Sequence, residues 1–248
     1  MAKGEAGDGA FTGFERGALQ FLADLAEHND RAWFQPRKAE WERLVREPFE
    51  ALCSALAERF AARGLPLHAD PVHSPFRIYR DVRFSKDKSP YKTAQGAQFP
   101  WTEGGSGAGR TRLGVGGYFH LEPGSIFVGG GIWHPEAAFL QAFREHVDRD
   151  PDSVLAAVED EAFRATFGSV TGDSLTRVPR GYAADHPRAD LLLLKDVIFS
   201  RRLSDAEACS ADLPHRIAED LDAARPVLAL LAAVAAQTAA STSPARRR

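Results

Sequence analysis

Residues 113–128 read L-G-V-G-G-Y-F-H-L-E-P-G-S-I-F-V, and this stretch decides the fold. Leu113, Val115, Gly117, Phe119 and Leu121 alternate with Gly114, Gly116, Tyr118 and His120. That is the two-residue period of a strand with one buried face. Glu122-Pro123-Gly124-Ser125 is a turn signal, and residues 126–128 resume an apolar strand. Two strands joined by a short turn predict a β-hairpin and therefore an antiparallel sheet. Glycine is dense at 104–117 and again at 129–131, which predicts loops and close backbone approaches.

Upstream, residues 76–84 alternate too. Phe76, Ile78, Val82 and Phe84 share one face; Arg77, Tyr79, Asp81 and Arg83 share the other. The period predicts another strand. Before it the period is helical. Thr12 and Glu15 have the spacing of a capping box, and Phe14, Ala18, Phe21, Leu22 and Leu25 follow at helical intervals. Asn29 and Asp30 suit a helix stop and a new N-cap. A second helical stretch covers residues 36–63, with a kink at Pro48 and a stop at Gly64. Downstream, helices are predicted from Pro135 to about residue 147, over 151–158 and over 187–194, and a strand over 197–200. Ser204 and Glu207 fit a capping box, and residues 212–239 form the terminal helices with a kink at Pro226. Together these predict one α+β domain over residues 11–240, with a mainly antiparallel sheet from the middle of the chain covered by N- and C-terminal helices. Residues 1–10 and 241–248 read as disordered tails.

The chain has 248 residues, 44% hydrophobic and 26% charged, with 16 Phe, 4 Tyr and 4 Trp. That is enough apolar material for a core, and it excludes disorder throughout. Two cysteines, Cys53 and Cys209, each isolated in a helical context, exclude a disulfide scaffold and suit a reducing cytoplasm. The net charge of −3 argues against coating of nucleic acid. The most apolar run, residues 227–240, falls short of the roughly 20 residues a membrane span needs.

Only six of 31 basic residues are lysine, yet three of them, Lys86, Lys88 and Lys92, fall within seven residues. Residues 76–93, F-R-I-Y-R-D-V-R-F-S-K-D-K-S-P-Y-K-T, carry six cations (also Arg77, Arg80 and Arg83) against Asp81 and Asp87, a net +4. Arg80 falls by alternation on the apolar face, where an unpaired charge is very costly. Its planar fork suits a carboxylate or phosphate. The segment therefore reads as a cradle for a small anion. Arg180, His186 and Lys195 are further ligand-binding candidates from the C-terminal part. The bland alternative is a solvated charged face, with Asp81 and Asp87 neutralising neighbours and Arg80 paired to a core carboxylate such as Asp24.

His120 shares its face with Gly114, Gly116 and Tyr118, where the glycines leave room above the strand. It is the candidate general acid or base, with Tyr91 or Tyr118 as hydrogen-bonding partner. A hydrogen-bonded surface histidine is the alternative. His120, Glu122, His134, Asp185 and His186 lack metal-ligand spacing, so no metal and no other cofactor is evident. Asp185-His186-Pro187 also fits a plain helix start. Gly129-Gly130-Gly131 before a helix has the layout of a phosphate loop but no G-K-[ST], and fits a tight turn better. No G-x-S-x-G is present.

Several of these segments carry a resemblance. F-L at 21–22 through Asn29, and R-A-W-F at 31–34, resemble the N-terminal motif of the bacterial and fungal family called domain of unknown function 2461. R-D-V-R-F-S-K-D-K-S-P-Y-K-T at 80–93 resembles its central motif nearly letter for letter. G-Y-F-H-L-E-P-G at 117–124, G-G-G-I-W at 129–133, P-R-G-Y at 179–182, D-H-P at 185–187 and L-K at 194–195 resemble the rest. His28 stands where the family commonly has Asn, and Arg180 where it has Lys. The resemblance implies one continuous domain and supplies no activity. Three functions stay open: a site, catalytic or not, for a small anionic molecule; a non-catalytic module for a phosphorylated or acidic partner or a nucleic-acid backbone; or a purely structural ion-pair motif. The sequence does not fix the oligomeric state.

Overall fold

The structure, a computed structural model, describes residues 10–102 and 114–242. Four strands, β1 (Gln95–Pro100), β2 (Val115–Leu121), β3 (Ile126–Ile132) and β4 (Val197–Leu203), form one antiparallel sheet in the order β1-β2-β3-β4. Helices α1 (Arg16–Glu27) and α2 (Glu47–Ala62) precede it in the chain. Helices α3 (Ala137–Arg149), α4 (Pro151–Val158) and α5 (Glu161–Phe167) lie between β3 and β4, and α6 (Leu213–Ala223) and α7 (Arg225–Thr242) follow. The α+β class is the expected one. The sheet falls short of expectation at one end: residues 76–84 do not enter it, and β1, unforeseen, takes the first place. Leu113, the expected start of β2, and most of the tails lie outside the described residues; α7 runs through residues 241 and 242, two residues into the expected tail.

The described residues form two compact units. The first comprises 10–99, 118–128 and 202–219. Its core packs Phe14 at a tilt against Phe49 at 5.1 Å and stacks it on Phe119 of β2 at 6.1 Å, while Phe60 of α2 meets Phe99 of β1 edge-on at 5.6 Å. Each such ring contributes about 1.5–3 kcal/mol by leaving water. The expected Thr12–Glu15 capping box does not form; Glu15 is itself the N-cap and its side chain makes no capping bond. Asp30 does cap, its carboxylate accepting from Trp33 N. Pro48 shapes the second helical stretch. A proline lacks the amide and crowds the carbonyl four residues back. Glu42–Arg46 accordingly widens into a π turn, and α2 starts with Pro48 in its first turn.

The second unit comprises 100–102, 114–117, 129–201 and 220–242. Here α7 packs on α3 and α4, and Phe199 of β4 lies against Phe163 and Phe167 of α5 at 5.3 and 4.7 Å. Gly129-Gly130-Gly131 forms neither a turn nor a phosphate loop but the body of β3. A Cβ at Gly129 would stand 2.2 Å from the Phe199 carbonyl oxygen, and one at Gly131 2.1 Å from that of Val197. Gly129 and Gly131 are glycine because β4 passes too close for side chains, and a Cβ at Gly130 would meet the Gly116 carbonyl oxygen of β2 at 2.6 Å. The C-terminal helices divide just before Pro226, as expected. Among the described residues no single helix is long and apolar enough to cross a membrane.

Candidate functional site

The basic segment folds as an arm of the first unit. Residues 74–80 run antiparallel to 90–98. Gln98 N donates to Ser74 O at 3.0 Å and Phe76 N to Gly96 O at 2.8 Å; beyond them Lys92 N donates to Ile78 O at 2.8 Å and Arg80 N to Pro90 O at 2.9 Å. The first two pairs keep one register and the last two another, shifted by two residues. Residues 93–95 therefore bulge from the pairing. The Gln95 side-chain amide closes the bulge by donating to Phe76 O at 2.7 Å. This slip is why the alternation of 76–84 does not become a ladder strand. Asn29 holds the arm at its far edge. Its Nδ2 donates to Tyr91 O at 2.9 Å and its Oδ1 accepts from Tyr91 N at 3.0 Å.

At the tip the charges pair with each other. Arg80, on the same side as the buried Ile78 as alternation predicts, bonds the Asp87 carboxylate and also donates to Ser89 O at 3.3 Å. The partner is Asp87 and not Asp24, which accepts from Gln20. The Ser89 hydroxyl and Arg80 together hold the Asp87 carboxyl below the ordinary carboxylate range. Arg83 and Asp81 form a forked pair with a closest approach of 2.6 Å. Lys88 Nζ donates to Val82 O at 3.0 Å. Lys86 is exposed. Phe84, expected to face the core, is 95% exposed.

At the base the arrangement differs. Lys92 is part-buried, its ammonium 5.0 Å over the Phe76 ring. Burial lowers its pKa, and the neighbouring Arg77 lowers it further. Neither cation forms a salt bridge with a described residue. Phe76 packs on Tyr118 at 5.9 Å. Tyr118, His120 and Glu122 then line one face of β2 and its exit, every second residue. The Tyr118 hydroxyl lies 2.9 Å from His120 Nδ1, and His120 Nε2 lies 3.2 Å from Glu122 Oε2. With Glu122 ionised, Nε2 carries the proton and donates to it, and Nδ1 accepts from the phenol. Burial, and then the Glu122 charge, push the Tyr118 hydroxyl up to about 12, so it stays protonated. Gly96 of β1 makes the space that the Tyr118 ring fills, since a Cβ there would meet the phenol oxygen at 2.4 Å; beside Gly114, expected to leave room, a Cβ would lie 3.7 Å from the Ile132 side chain. Phe127 stacks on His120 at 4.7 Å.

The other candidates fall elsewhere. Tyr91 is 1% exposed, its ring 4.1 Å from Phe34 and its hydroxyl accepting from Gln35 at 3.3 Å. Arg180, His186 and Lys195 belong to the second unit. Arg180 is exposed. His186 Nδ1 accepts from Arg188 N at 3.0 Å, and its Nε2 lies 3.4 Å from Asp148, as befits a residue organising a helix start. Lys195 lies 3.7 Å from Asp173. Among the described residues no three His, Cys, Asp or Glu side chains gather to hold a metal ion. From the sequence, Asn29 reads as a helix stop and as part of the N-terminal family motif. Its clamp on Tyr91 joins positions 62 apart and leaves no local signal.

Residues 17–229 match the family model described as Conserved hypothetical protein (DUF2461), and the chain belongs to that family. No curated protein and no solved structure matches it.

Proposed function

We propose that the protein binds a small molecule bearing phosphate or carboxylate at the base of the arm, with Lys92 and Arg77 as the anchoring cations. One observation carries this reading. A part-buried ammonium sits beside a second cation, and neither forms a salt bridge with a described carboxylate, although the Asp81 charge is felt at Arg77. A part-buried ammonium beside a second, exposed cation is unfavourable until an anion joins it. Tyr118, whose hydroxyl donates to His120, packs on Phe76, the ring under Lys92, so the Glu122–His120–Tyr118 chain lies beside the anion site. Two free thiols, Cys53 and Cys209, suit a reducing compartment such as the cytoplasm.

The test is thermal unfolding in a phosphate titration. At about 100 times its dissociation constant, phosphate adds about 2.7 kcal/mol to the wild-type protein. Lys92→Met and Arg77→Ala abolish that gain, while Arg83→Ala and Lys88→Ala keep it. Equal responses in all four variants refute the reading. A second reading, docking of an acidic partner or nucleic-acid backbone through the tip, draws on the exposure of Phe84 between Arg83 and Lys86. It requires retention on heparin that falls with salt and with Phe84→Ala.

A further inference from the structure

The residues just after β3 and just before β4, all in the second unit, form a cluster that the anion site does not use. Asp196 is buried, with 4% of its side chain exposed. Its Oδ1 accepts from His134 N at 2.6 Å, and its Oδ2 accepts from Asp173 N at 3.3 Å. The same Oδ1 lies 3.5 Å from His134 Nδ1, the one ion-pair contact of this carboxylate among the described residues. His134 is also the one non-glycine residue at positive φ among the described residues, at +48°. Left-handed backbone is strained where a side chain is present, and such strain collects at functional sites. Here it brings the amide and the ring of one residue to one oxygen. The far side of the ring is open. The His134 side chain is 65% exposed, and its Nε2 has no partner among the described residues. Trp133 beside it is 70% exposed, the two ring centroids 4.0 Å apart and the planes tilted by 41°. Another histidine also meets an acid, His73 at 2.8 Å from Asp70, but that pair lies within one turn whose amides the same acid caps. Local turn chemistry accounts for it. Asp196 reaches His134 across 62 positions, so the fold itself brings a buried acid behind an exposed imidazole.

We propose that Trp133, His134 and Asp196 form a second site, in which His134 Nε2 is the nucleophile toward the acyl carbonyl of an ester whose flat, ring-bearing leaving group rests on Trp133. Asp196 is the positioning residue. With it ionised, the ring proton stays on Nδ1 and the lone pair on Nε2, the arrangement of an acid-oriented histidine. Such contacts are often long before a ligand arrives. The exposed indole offers a flat apolar face for the leaving group. In the first step the bond between Nε2 and the carbonyl carbon forms and the ester C–O bond breaks, its electron pair leaving on the ring oxygen. The acylated imidazole is positive, and Asp196 faces its Nδ1 proton. Water then attacks the acyl carbon and the C–Nε2 bond breaks. The water oxygen and one proton leave in the carboxylic acid, and the other proton neutralises the aryl oxide.

The experiment follows p-nitrophenolate release from p-nitrophenyl acetate by the full chain, as a function of ester concentration. His134→Gln is expected to cut release at least about tenfold, while His73→Gln leaves it unchanged. Trp133→Ala raises KM and leaves kcat in place, and Asp196→Asn lowers kcat. Two-bond proton–nitrogen spectra of the 15N-labelled chain add a readout that needs no ester. The neutral His134 ring is expected as the Nδ1–H tautomer, the opposite of the form that free imidazole side chains favour in water, and as Nε2–H in Asp196→Asn. Release that is unchanged in His134→Gln, or a neutral His134 ring protonated at Nε2 in the wild type, overturns the proposal. If Asp196→Asn does not fold, the wild-type tautomer and the variants at the exposed positions, His134→Gln and Trp133→Ala, still decide it.

Discussion

The two ends of the arm hold similar charges in opposite conditions. At the tip, Arg80 has Asp87, Arg83 has Asp81 and Lys88 has a carbonyl, and Asp81 and Asp87 are both exposed. At the base, Lys92 is part-buried over an aromatic ring with Arg77 beside it, and neither forms a salt bridge with a described residue. Exposed pairs contribute little, with a median of about 0–1 kcal/mol. A desolvated, unmatched cation costs stability and becomes favourable only when an anion arrives. On the proposed reading, the densest positive charge along the sequence and the anion site fall at opposite ends of the arm. What marks a site is the charge that the fold leaves unneutralised.

The comparison can be broken most forcefully at the clamp that holds the base. Asn29→Ala orphans the Tyr91 amide and carbonyl, and urea unfolding should show a loss of about 2–4 kcal/mol. A loss below about 1 kcal/mol would mean that the base is not anchored there. Tyr118→Phe removes the hydroxyl that donates to His120 and should cost about 1 kcal/mol in the same assay. The Asp81–Arg83 pair tests the tip. A double-mutant cycle with both residues changed to Ala should give a coupling below about 1 kcal/mol. Lys92→Met should leave the melting temperature in phosphate-free buffer unchanged or raise it, since it removes a charge whose pKa is lowered by burial and by Arg77.

Acid titration sharpens the contrast further. The folded Asp87 carboxyl is depressed by the Ser89 hydroxyl and by Arg80. Its contribution is therefore present above the ordinary aspartate value of about 3.9 and disappears as pH falls through the lower folded value. Melting curves of Asp87→Asn against wild type should differ near pH 6 and converge at the acid end. A gap that widens on acidification would carry the wrong sign.

The hairpin of β2 and β3 was legible because alternation and turn chemistry are local. So were the Asp30 cap, the Ser204–Glu207 capping box and the break before Pro226. Residues 76–84 misled for a physical reason. Their alternation is real, and it buries Ile78, but the two-residue slip at 93–95 is set by pairing with a distant segment. Phe84 was misplaced by the same extrapolation. The glycines of β3 stand out in the sequence, but only the nearness of the backbones of β4 and β2 says what they are for. In the candidate site, His120 and Tyr118 were found together because one strand carries them. Glu122 was read as turn and weak metal ligand, and proves to be the acid on His120. Arg80 was rightly expected to be paired, and that pairing is what moves the centre of interest to Lys92.

The most direct test is the pKa of Lys92 itself, followed by its side-chain carbon and nitrogen signals in a labelled protein with only six lysines. The account predicts a value below that of an ordinary lysine in phosphate-free buffer, rising when phosphate is added, with Lys86 and Lys88 unmoved. An ordinary value for Lys92 that phosphate does not change would contradict it.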